Sequence, residues 1–222
     1  MDTEAVEKVV RMPSVKRLPG YLCILRRFQM QGRELVSTTH LAEEIGLAPI
    51  VVRKDLEITG ITGKPKVGYP VPELIEGIEN FLGWNNATDA FLAGVGCLGS
   101  ALMGYQGIRN NGLNIVAGFD NDPAKIGSTV HGRSILPLKK LPDLVRRMHV
   151  RIGILTVPAD AAEEVAQMMI SAGIKGIWNF TTVDLKTGPD IVVQKEDLSS
   201  GLAALSVKLK RAKEKKEEET ES

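Results

Sequence analysis

Apolar residues in the first third of the chain recur at helical spacing and predict three short helices. One of Ser37, Thr38 and Thr39 is expected to cap the second helix. That helix should end at Gly46, and Pro49 suits the first turn of the third. Two helices joined by a tight glycine-containing turn are typical of a helix-turn-helix, although plain helical hairpins share this pattern. The apolar positions of the three helices are Leu18, Tyr21, Leu22, Leu25 and Phe28, then Leu41 and Ile45, then Val52, Leu56 and, at the end, Ile58.

The segment 62–71, called the wing below, is rich in Gly, Pro and Lys. It fits either a two-stranded hairpin or a loop. Three helices followed by a hairpin would make a winged helix. Residues 73–84 carry Glu73, Glu76 and Glu79 and are expected to form a linking helix.

From residue 87 onward the pattern changes to apolar runs of strand length that alternate with helix-like stretches. This alternation predicts an α/β fold, a doubly wound parallel sheet with helices on both faces. A final helix carries a leucine stripe and runs into a tail of mixed charge, 210–222, which we expect to be solvated or frayed. The predicted strands are 90–93, 115–119, 152–157, 176–180 and 191–193, the predicted helices include 100–109 and 159–172, and the stripe is Leu198, Leu202, Leu205 and Leu209.

The pattern therefore divides the chain into a helical part, 1–80, a strand-and-helix part, 81–194, and a closing helix with its charged tail, 195–222. The 222 residues leave no room for a further catalytic domain. No run of 18 apolar residues is present, so the sequence predicts no membrane-spanning helix. Cys23 and Cys97 stand far apart, and the chain starts without the pattern of a signal peptide, so we expect a reducing, cytoplasmic compartment.

Charge changes this picture only locally. Lys and Arg total 28 against 27 Asp and Glu, and a net charge of +1 predicts no global attraction to nucleic acid or anionic lipid. The average hides unlike parts, because residues 1–72 hold 11 basic and 8 acidic side chains. Any nucleic-acid contact must therefore use a local patch.

A glycine motif follows the first predicted strand and opens the next helix, the context in which GxGxxG indicates a dinucleotide site. Gly94 permits the tight turn, Gly96 leaves room for a pyrophosphate on the helix N-terminus, and Gly99 lets helix and strand pack closely. The alternative is a turn that binds no nucleotide. The motif consists of Gly94, Val95, Gly96, Cys97, Leu98 and Gly99.

Asp120 ends the second predicted strand, 21 residues after Gly99. Its carboxylate can accept hydrogen bonds from the adenine ribose hydroxyls and would repel a 2′-phosphate, which favours NAD(H) over NADP(H). Alternatively, residues 120–123 form a simple strand-to-helix turn in which Asp122 caps a helix after Pro123.

The ends of two later strands form the expected floor for a nicotinamide, because ligands of open parallel sheets lie at the carboxyl ends of the strands. For Val157 and Phe180, a place in the ordinary core is an equally good interpretation. The residues concerned are Thr156, Val157, Pro158, Asn179 and Phe180.

We do not expect an enzyme. Hydride transfer to a carbonyl needs an acid or base, and His40, His131 and His149 all lie away from the predicted strand ends. No metal site is legible. Cys97 raises the idea of a thiol sensor, but no resolving partner is evident, so a packing or backbone-defined role is preferred.

Taken together, the motifs resemble those of the Rex redox-sensing transcriptional repressors of bacteria over nearly the whole chain. The resemblance implies an N-terminal winged helix-turn-helix, a Rossmann-type NAD(H)-binding domain and a C-terminal helix swapped between the subunits of a homodimer. It implies binding to operator DNA when NAD⁺ prevails and release by NADH. The shared motifs are SVKRL at 14–18, RKDL at 53–56, VGY at 67–69, GVGCLG at 94–99, FDNDP at 119–123, TVP at 156–158, AGIKGI at 172–177, Asn179-Phe180 and Asp197-Leu198.

The resemblance also implies a redox switch made of Arg17, Tyr105 and Asp197, which form a hydrogen-bond and ion-pair arrangement across the dimer in family members. From the residues alone, an alternative for Arg17 is a contact with a DNA phosphate. The alternative for Asp197 is the N-cap of the last helix.

The DNA-binding half departs from the family pattern. Val51 replaces the usual glutamine before Val-Arg, and Glu57 places an acid near the DNA. Phosphate contacts give affinity and base contacts give sequence choice, so an alternative function is a Rex-like NAD(H) sensor with altered or lost operator recognition that acts through protein partners. The expected DNA-binding residues are Arg53, Lys54, Lys64 and Lys66.

Overall fold

The computed structural model describes residues 11–65 and 67–221. The chain divides into two compact units, Met1–Asn86 and Ala87–Ser222. The first unit is mainly helical, and the second is built on a sheet of seven strands.

Four helices form the first unit: α1 (Met12–Met30), α2 (Thr38–Ile45), α3 (Pro49–Glu57) and α4 (Val71–Leu82). The predicted apolar stripes of the first three pack into one core with α4. Ser37 caps α2 by accepting the N–H of His40 at 3.1 Å, and Gly46 ends it in the left-handed region, with φ of 71°. The helix-turn-helix is thus confirmed in its local geometry, although α1, at 19 residues, is longer than predicted.

The wing pairs differently from a self-contained hairpin. Strand β2 (Tyr69–Pro70) runs antiparallel to β1 (Leu35–Val36), which precedes α2. Within the wing itself, Lys64 and Gly68 form a single bridge. Gly68 lies under β1 with φ of +98°, and a Cβ there would meet the carbonyl oxygen of Val36 at 2.3 Å. The sequence could not show this pairing, because α2 and α3 separate β1 from β2 along the chain.

The second unit has the strand order of a doubly wound nucleotide-binding sheet. Its seven strands lie in the order β5-β6-β4-β3-β7-β8-β9. The six from β6 to β9 are parallel, and numbered by chain order they read 3-2-1-4-5-6. The order reverses at β3, where β3 meets β7, which places the expected crevice at the ends of these two strands. The strands are β3 (Thr88–Ala93), β4 (Leu113–Asp120), β5 (Thr129–Val130), β6 (Arg133–Pro137), β7 (Ile152–Leu155), β8 (Gly176–Asn179) and β9 (Val192–Lys195).

Helices cover both faces, each over its own apolar cluster. The predicted helix 159–172 is confirmed at both ends, whereas the predicted helix 100–109 is interrupted at Tyr105, whose ψ of 107° is extended. The β5–β6 hairpin and α7 were not predicted. The helices are α5 (Cys97–Gly104), α6 (Gln106–Asn110), α7 (Leu141–Met148), which follows a 3-10 turn (Leu138–Lys140), and α8 (Ala159–Ala172).

The last helix, α9 (Leu198–Glu221), confirms the single closing helix and continues through most of the charged tail. Several of its apolar residues face solvent in the single chain. Leu202 is 65% exposed, Leu205 53% and Leu209 57%. None of the helices in the described ranges is long and apolar enough to cross a membrane.

Candidate dinucleotide site and nucleic-acid interface

Two glycines of the motif are required by space alone. Gly94 has φ of +95°, and a Cβ there would meet the backbone of Thr156 at 2.7 Å. A Cβ on Gly99 would lie 2.1 Å from the carbonyl oxygen of Gly94. The turn and the close helix packing predicted for these positions are therefore both present.

Gly96 has no such internal reason. A Cβ there would have nothing within 4 Å, and its φ of −84° is open to any residue. Gly96 immediately precedes α5, whose first N–H groups have no acceptor inside the helix. An anion such as a pyrophosphate fits this opening. Glycine, which has no side chain, leaves more room there than any other residue. The motif residues present thus fit a dinucleotide.

Asp120, at the end of β4, faces this loop and binds its backbone. One carboxylate oxygen accepts the N–H of Val95 at 2.8 Å, and the other accepts the N–H of Asp122 at 2.9 Å. Burial alone would raise the pKa of Asp120, but the N–H of Asp122, Lys125 and the N–H of Val95 outweigh it and lower that pKa. The carboxylate is thus ionised and fixed in orientation before any ligand arrives.

Lys125 is a residue of this site that sequence reasoning missed. Its ammonium lies 3.2 Å from Asp120 and 3.7 Å from Asp122. The hydrogen bond with Asp120 raises the pKa of Lys125. The signal was a lysine five residues after the strand-end acid, inside a turn. Pro123 leads into that turn rather than into a helix.

Thr156 holds the glycine loop from the neighbouring strand. Its hydroxyl lies 2.7 Å from the carbonyl oxygen of Gly94 and 3.1 Å from that of Ala93, and it can donate to either. Val157 is half-buried, and Pro158 is exposed where α8 begins. Thr156 therefore ties β7 to the loop after β3, across the reversal point of the sheet.

Asn179 and Phe180 leave β8 in different roles. The side chain of Asn179 is fully buried, donates to the carbonyl oxygen of Val183 and accepts two hydrogen bonds from Thr181. Its amide is thus used inside the loop after β8. Phe180 is half-buried, with its ring 4.9 Å from that of Trp178. Cofactor contact by these two residues stays a prediction.

Cys97 is exposed at the start of α5, and Cys23 is exposed on α1. Within the residues that the structure describes, no group of three His, Cys, Asp or Glu side chains is placed to hold a metal ion.

In the first unit, Arg17 belongs to a buried polar cluster that joins α1 to α3. Its guanidinium donates two hydrogen bonds to Asp55, at 2.6 and 2.7 Å, and the hydroxyl of Tyr21 donates a third at 2.7 Å. Asp55 is 1% exposed and the Arg17 side chain 32%. Burial would raise the pKa of Asp55, but its hydrogen bonds, that from Arg17 first, lower it. Arg17 is thus already paired with Asp55 inside its own unit, and its roles in DNA contact and in the switch stay predictions.

A cleft of about 700 Å³ borders this cluster. Arg17 and Lys54 line it on one side, and Phe81 of α4 lies in its wall. The exposed part of Arg17 therefore opens into a space large enough for another side chain.

The expected DNA-binding residues lie on surfaces. Arg53 and Lys54 are exposed on α3, and Lys64 is exposed in the wing. Lys66 lies outside the described residues. The side chain of Arg53 lies 3.8 Å from the carboxylate of Glu57 on the same face, and each is 60% exposed.

The three expected switch residues are distributed over the two units. Arg17 belongs to the first, Tyr105 and Asp197 to the second. Tyr105 is 64% exposed at the junction of α5 and α6. Asp197 accepts the N–H of Ser199 at 2.8 Å, which is the N-cap geometry, and the hydroxyl and N–H of Ser199 lower its pKa.

Both units of the chain are similar to known protein families. Residues 85–183 match the family described as CoA binding domain, and residues 10–57 match putative DNA-binding protein N-terminus. The chain is 49% identical over 209 residues to the redox-sensing transcriptional repressor Rex of Treponema denticola, covering 94% of this chain and 100% of that relative. It is 40% identical to Rex of Bacteroides thetaiotaomicron, over 87% of this chain and 88% of the relative.

Two solved structures agree with the whole chain at a TM-score of 0.84. One is RSP in complex with β-NAD⁺ and operator DNA, 30% identical, covering 97% of this chain and 100% of that one. The other is RSP in complex with β-NADH, 29% identical, covering 95% and 99%.

Proposed function

Because this chain belongs to the Rex family of redox-sensing transcriptional repressors, we propose that it binds operator DNA as a homodimer and is released from it by NADH. NAD(H) is the cofactor, held on the glycine loop and Asp120, and the protein is not an enzyme. The relatives are bacterial, and its place of action is the cytoplasm, where chromosome and NAD(H) pool meet.

One observation carries this proposal. A single chain combines a capped helix-turn-helix with a glycine loop whose middle glycine opens onto free helix N–H groups beside an ionised acid. The first part suits a DNA groove, and the second suits a dinucleotide with free ribose hydroxyls. Joining the two in one chain gives the cofactor a way to act on DNA binding.

The switch is proposed to use Arg17, Tyr105 and Asp197. NADH and NAD⁺ differ by a hydride and a ring charge, and a ligand shifts a two-state protein only by its differential affinity for the two states. Arg17 is held by Asp55 on one side and opens into the cleft on the other. Asp197 of the partner subunit is proposed to reach Arg17 there in one of the two states.

The test is a fluorescence-anisotropy titration of a duplex from the protein's own upstream region that contains an inverted repeat. We expect binding at low salt that NADH weakens, while NAD⁺ and NADPH at the same concentration do so far less. Undiminished binding in excess NADH would contradict the switch. Absence of binding at low salt would contradict the repressor.

The switch residues are tested separately from the cofactor site. Asp197→Ala is expected to reduce the effect of NADH on DNA binding more than it reduces NADH affinity measured by calorimetry. Equal loss of both would mean that Asp197 only supports the cofactor site.

A second candidate is a sensor that acts through protein partners without specific DNA. The pairing of Glu57 with Arg53 favours it, because it places an acid on the outer face of α3 and engages one of its cations. Occupancy at discrete inverted repeats across the genome would count against it.

A further inference from the structure

The outer face of α3 begins with an exposed apolar side chain. Ile50, in the first turn, is 49% exposed, while Val52 and Leu56 on the inner face are completely buried. Arg53 and Glu57 follow Ile50 at one and two turns' distance along the same outer face. Ala48 and Pro49, just before Ile50, are exposed as well. The helix therefore starts with an apolar tip, defined as residues 48–50, and continues with charges.

In residues 11–65 and 67–86, which the structure describes, the hydrophobic core does not include this tip. The core that holds α3 contains Val52 and Leu56 of this helix, and Ile50 is not part of it. Among the same described residues, the outer face carries the loose ion pair of Arg53 with Glu57. Packing within the first unit therefore does not explain why an isoleucine stands at position 50.

On the basis of the function proposed above, the position of Ile50 at the start of α3 indicates which group it contacts. In a helix-turn-helix the N-terminal residues of the second helix contact base edges in the major groove. An isoleucine has no donor or acceptor for them. The apolar group that a base pair offers in the major groove is the C5-methyl of thymine.

We propose that Ile50 is a specificity-determining residue that selects thymine in each operator half-site by packing on the C5-methyl group. Arg53 and Lys54, one turn further along, supply cations to phosphates or to base acceptors.

The experiment uses the full chain and a duplex that it selects from a random-sequence library. Each thymine of the half-sites is replaced in turn by deoxyuridine, which lacks only the methyl group. We expect one thymine in each half-site to respond to this replacement. Removal of its methyl group should weaken binding of the protein to the duplex about fourfold. In Ile50→Ala that dependence should disappear, whereas Met30→Ala, altered at an 82% exposed residue at the end of α1, should keep it.

The outcomes separate the inference from the function on which it rests. If no duplex is selected, the proposed function is contradicted, and the inference with it. If duplexes are selected but no thymine methyl matters, or if Ile50→Ala keeps the dependence, the inference alone is overturned. Loss of binding to a protein partner in Ile50→Ala with unchanged DNA selectivity would overturn it in favour of a protein contact.

Discussion

At the scale of single residues, the three motif glycines are alike in the sequence and different in their surroundings. Gly94 and Gly99 lack room for a Cβ, whereas Gly96 has open space. The sequence predicted all three roles, because each role follows from the strand-turn-helix context. It could not predict Lys125, whose part in the site depends on how the turn after β4 folds back onto Asp120.

Gly96→Val is expected to abolish measurable NADH binding while the protein stays folded. The branched side chain would enter the opening at the start of α5, where its Cβ would have no protein atom within 4 Å. Calorimetry measures the affinity, and circular dichroism the fold. Gly99→Ala is the matched contrast and should destabilise the second unit, because its Cβ would overlap the Gly94 carbonyl. Unchanged NADH affinity in Gly96→Val would place the cofactor elsewhere.

Asp120→Asn is expected to weaken NADH binding about tenfold or more and to narrow the preference for NADH over NADPH. The amide cannot accept all the bonds that Val95 and Asp122 donate, and the charge that repels a 2′-phosphate is lost while Lys125 remains. Calorimetric titration with both cofactors measures this. Asp143→Asn serves as control, since that carboxylate lies on α7 in an exposed pair with Arg147. An unaltered preference in Asp120→Asn would mean that another group reads the ribose.

At the scale of elements, strong local signals were predicted well and weak ones were missed. Helix α8 is long, periodic and flanked by Pro158 and Gly173, so both ends were predicted. Helix α7 and strand β6 were missed, although α7 is as long as the predicted α2 and β6 is longer than the predicted β7. The interruption at Tyr105 was also missed; there a Cβ on Gly107 would lie 2.6 Å from the Tyr105 ring.

The contact between α1 and α3 was equally hidden, because 38 residues separate Arg17 from Asp55. This pair links the two helices through a nearly completely buried carboxylate. We therefore expect Asp55→Asn to destabilise the first unit by about 2 kcal/mol at neutral pH. Hydrogen exchange in α1 and α3 measures the loss, and Asp143→Asn, in an exposed pair with Arg147, is expected to change little.

The pH dependence has a defined direction. The pKa of Asp55 is lowered in the folded chain, so its contribution is fully present above the unfolded pKa of about 4 and is lost as the pH falls through the folded pKa. The difference in unfolding free energy between the native protein and Asp55→Asn should therefore shrink below about pH 4. A constant difference down to pH 2 would argue against the ion pair as its cause.

At the scale of the whole molecule, the net charge of +1 is an average over two units, one proposed to bind DNA and the other NAD(H). The sequence predicted the fold class and the order of its parts. It could not predict which leucines of α9 stay uncovered, since a leucine stripe packs equally well inside one chain or between two. The exposure of Leu202, Leu205 and Leu209 favours the second possibility.

Leu205→Glu is expected to shift the protein from dimer to monomer at micromolar concentration and to reduce operator binding with it. A charge at the centre of the stripe would remain buried and unpaired in the dimer. Light scattering after size exclusion measures the mass. Met148→Glu, at a 45% exposed apolar residue of α7, is the control and should leave the mass unchanged. A Leu205→Glu protein that remains dimeric would assign the stripe another role.

The pairing of β3 with β7 has a consequence for how the chain acquires its structure during synthesis. Ala90 pairs with Ile152, so the central strands of the sheet cannot meet until the ribosome has released more than half of the chain. The core of the first unit lies within residues 18–84, all of which are synthesised before β3. The DNA-facing half is therefore expected to be folded while the cofactor half is still being made.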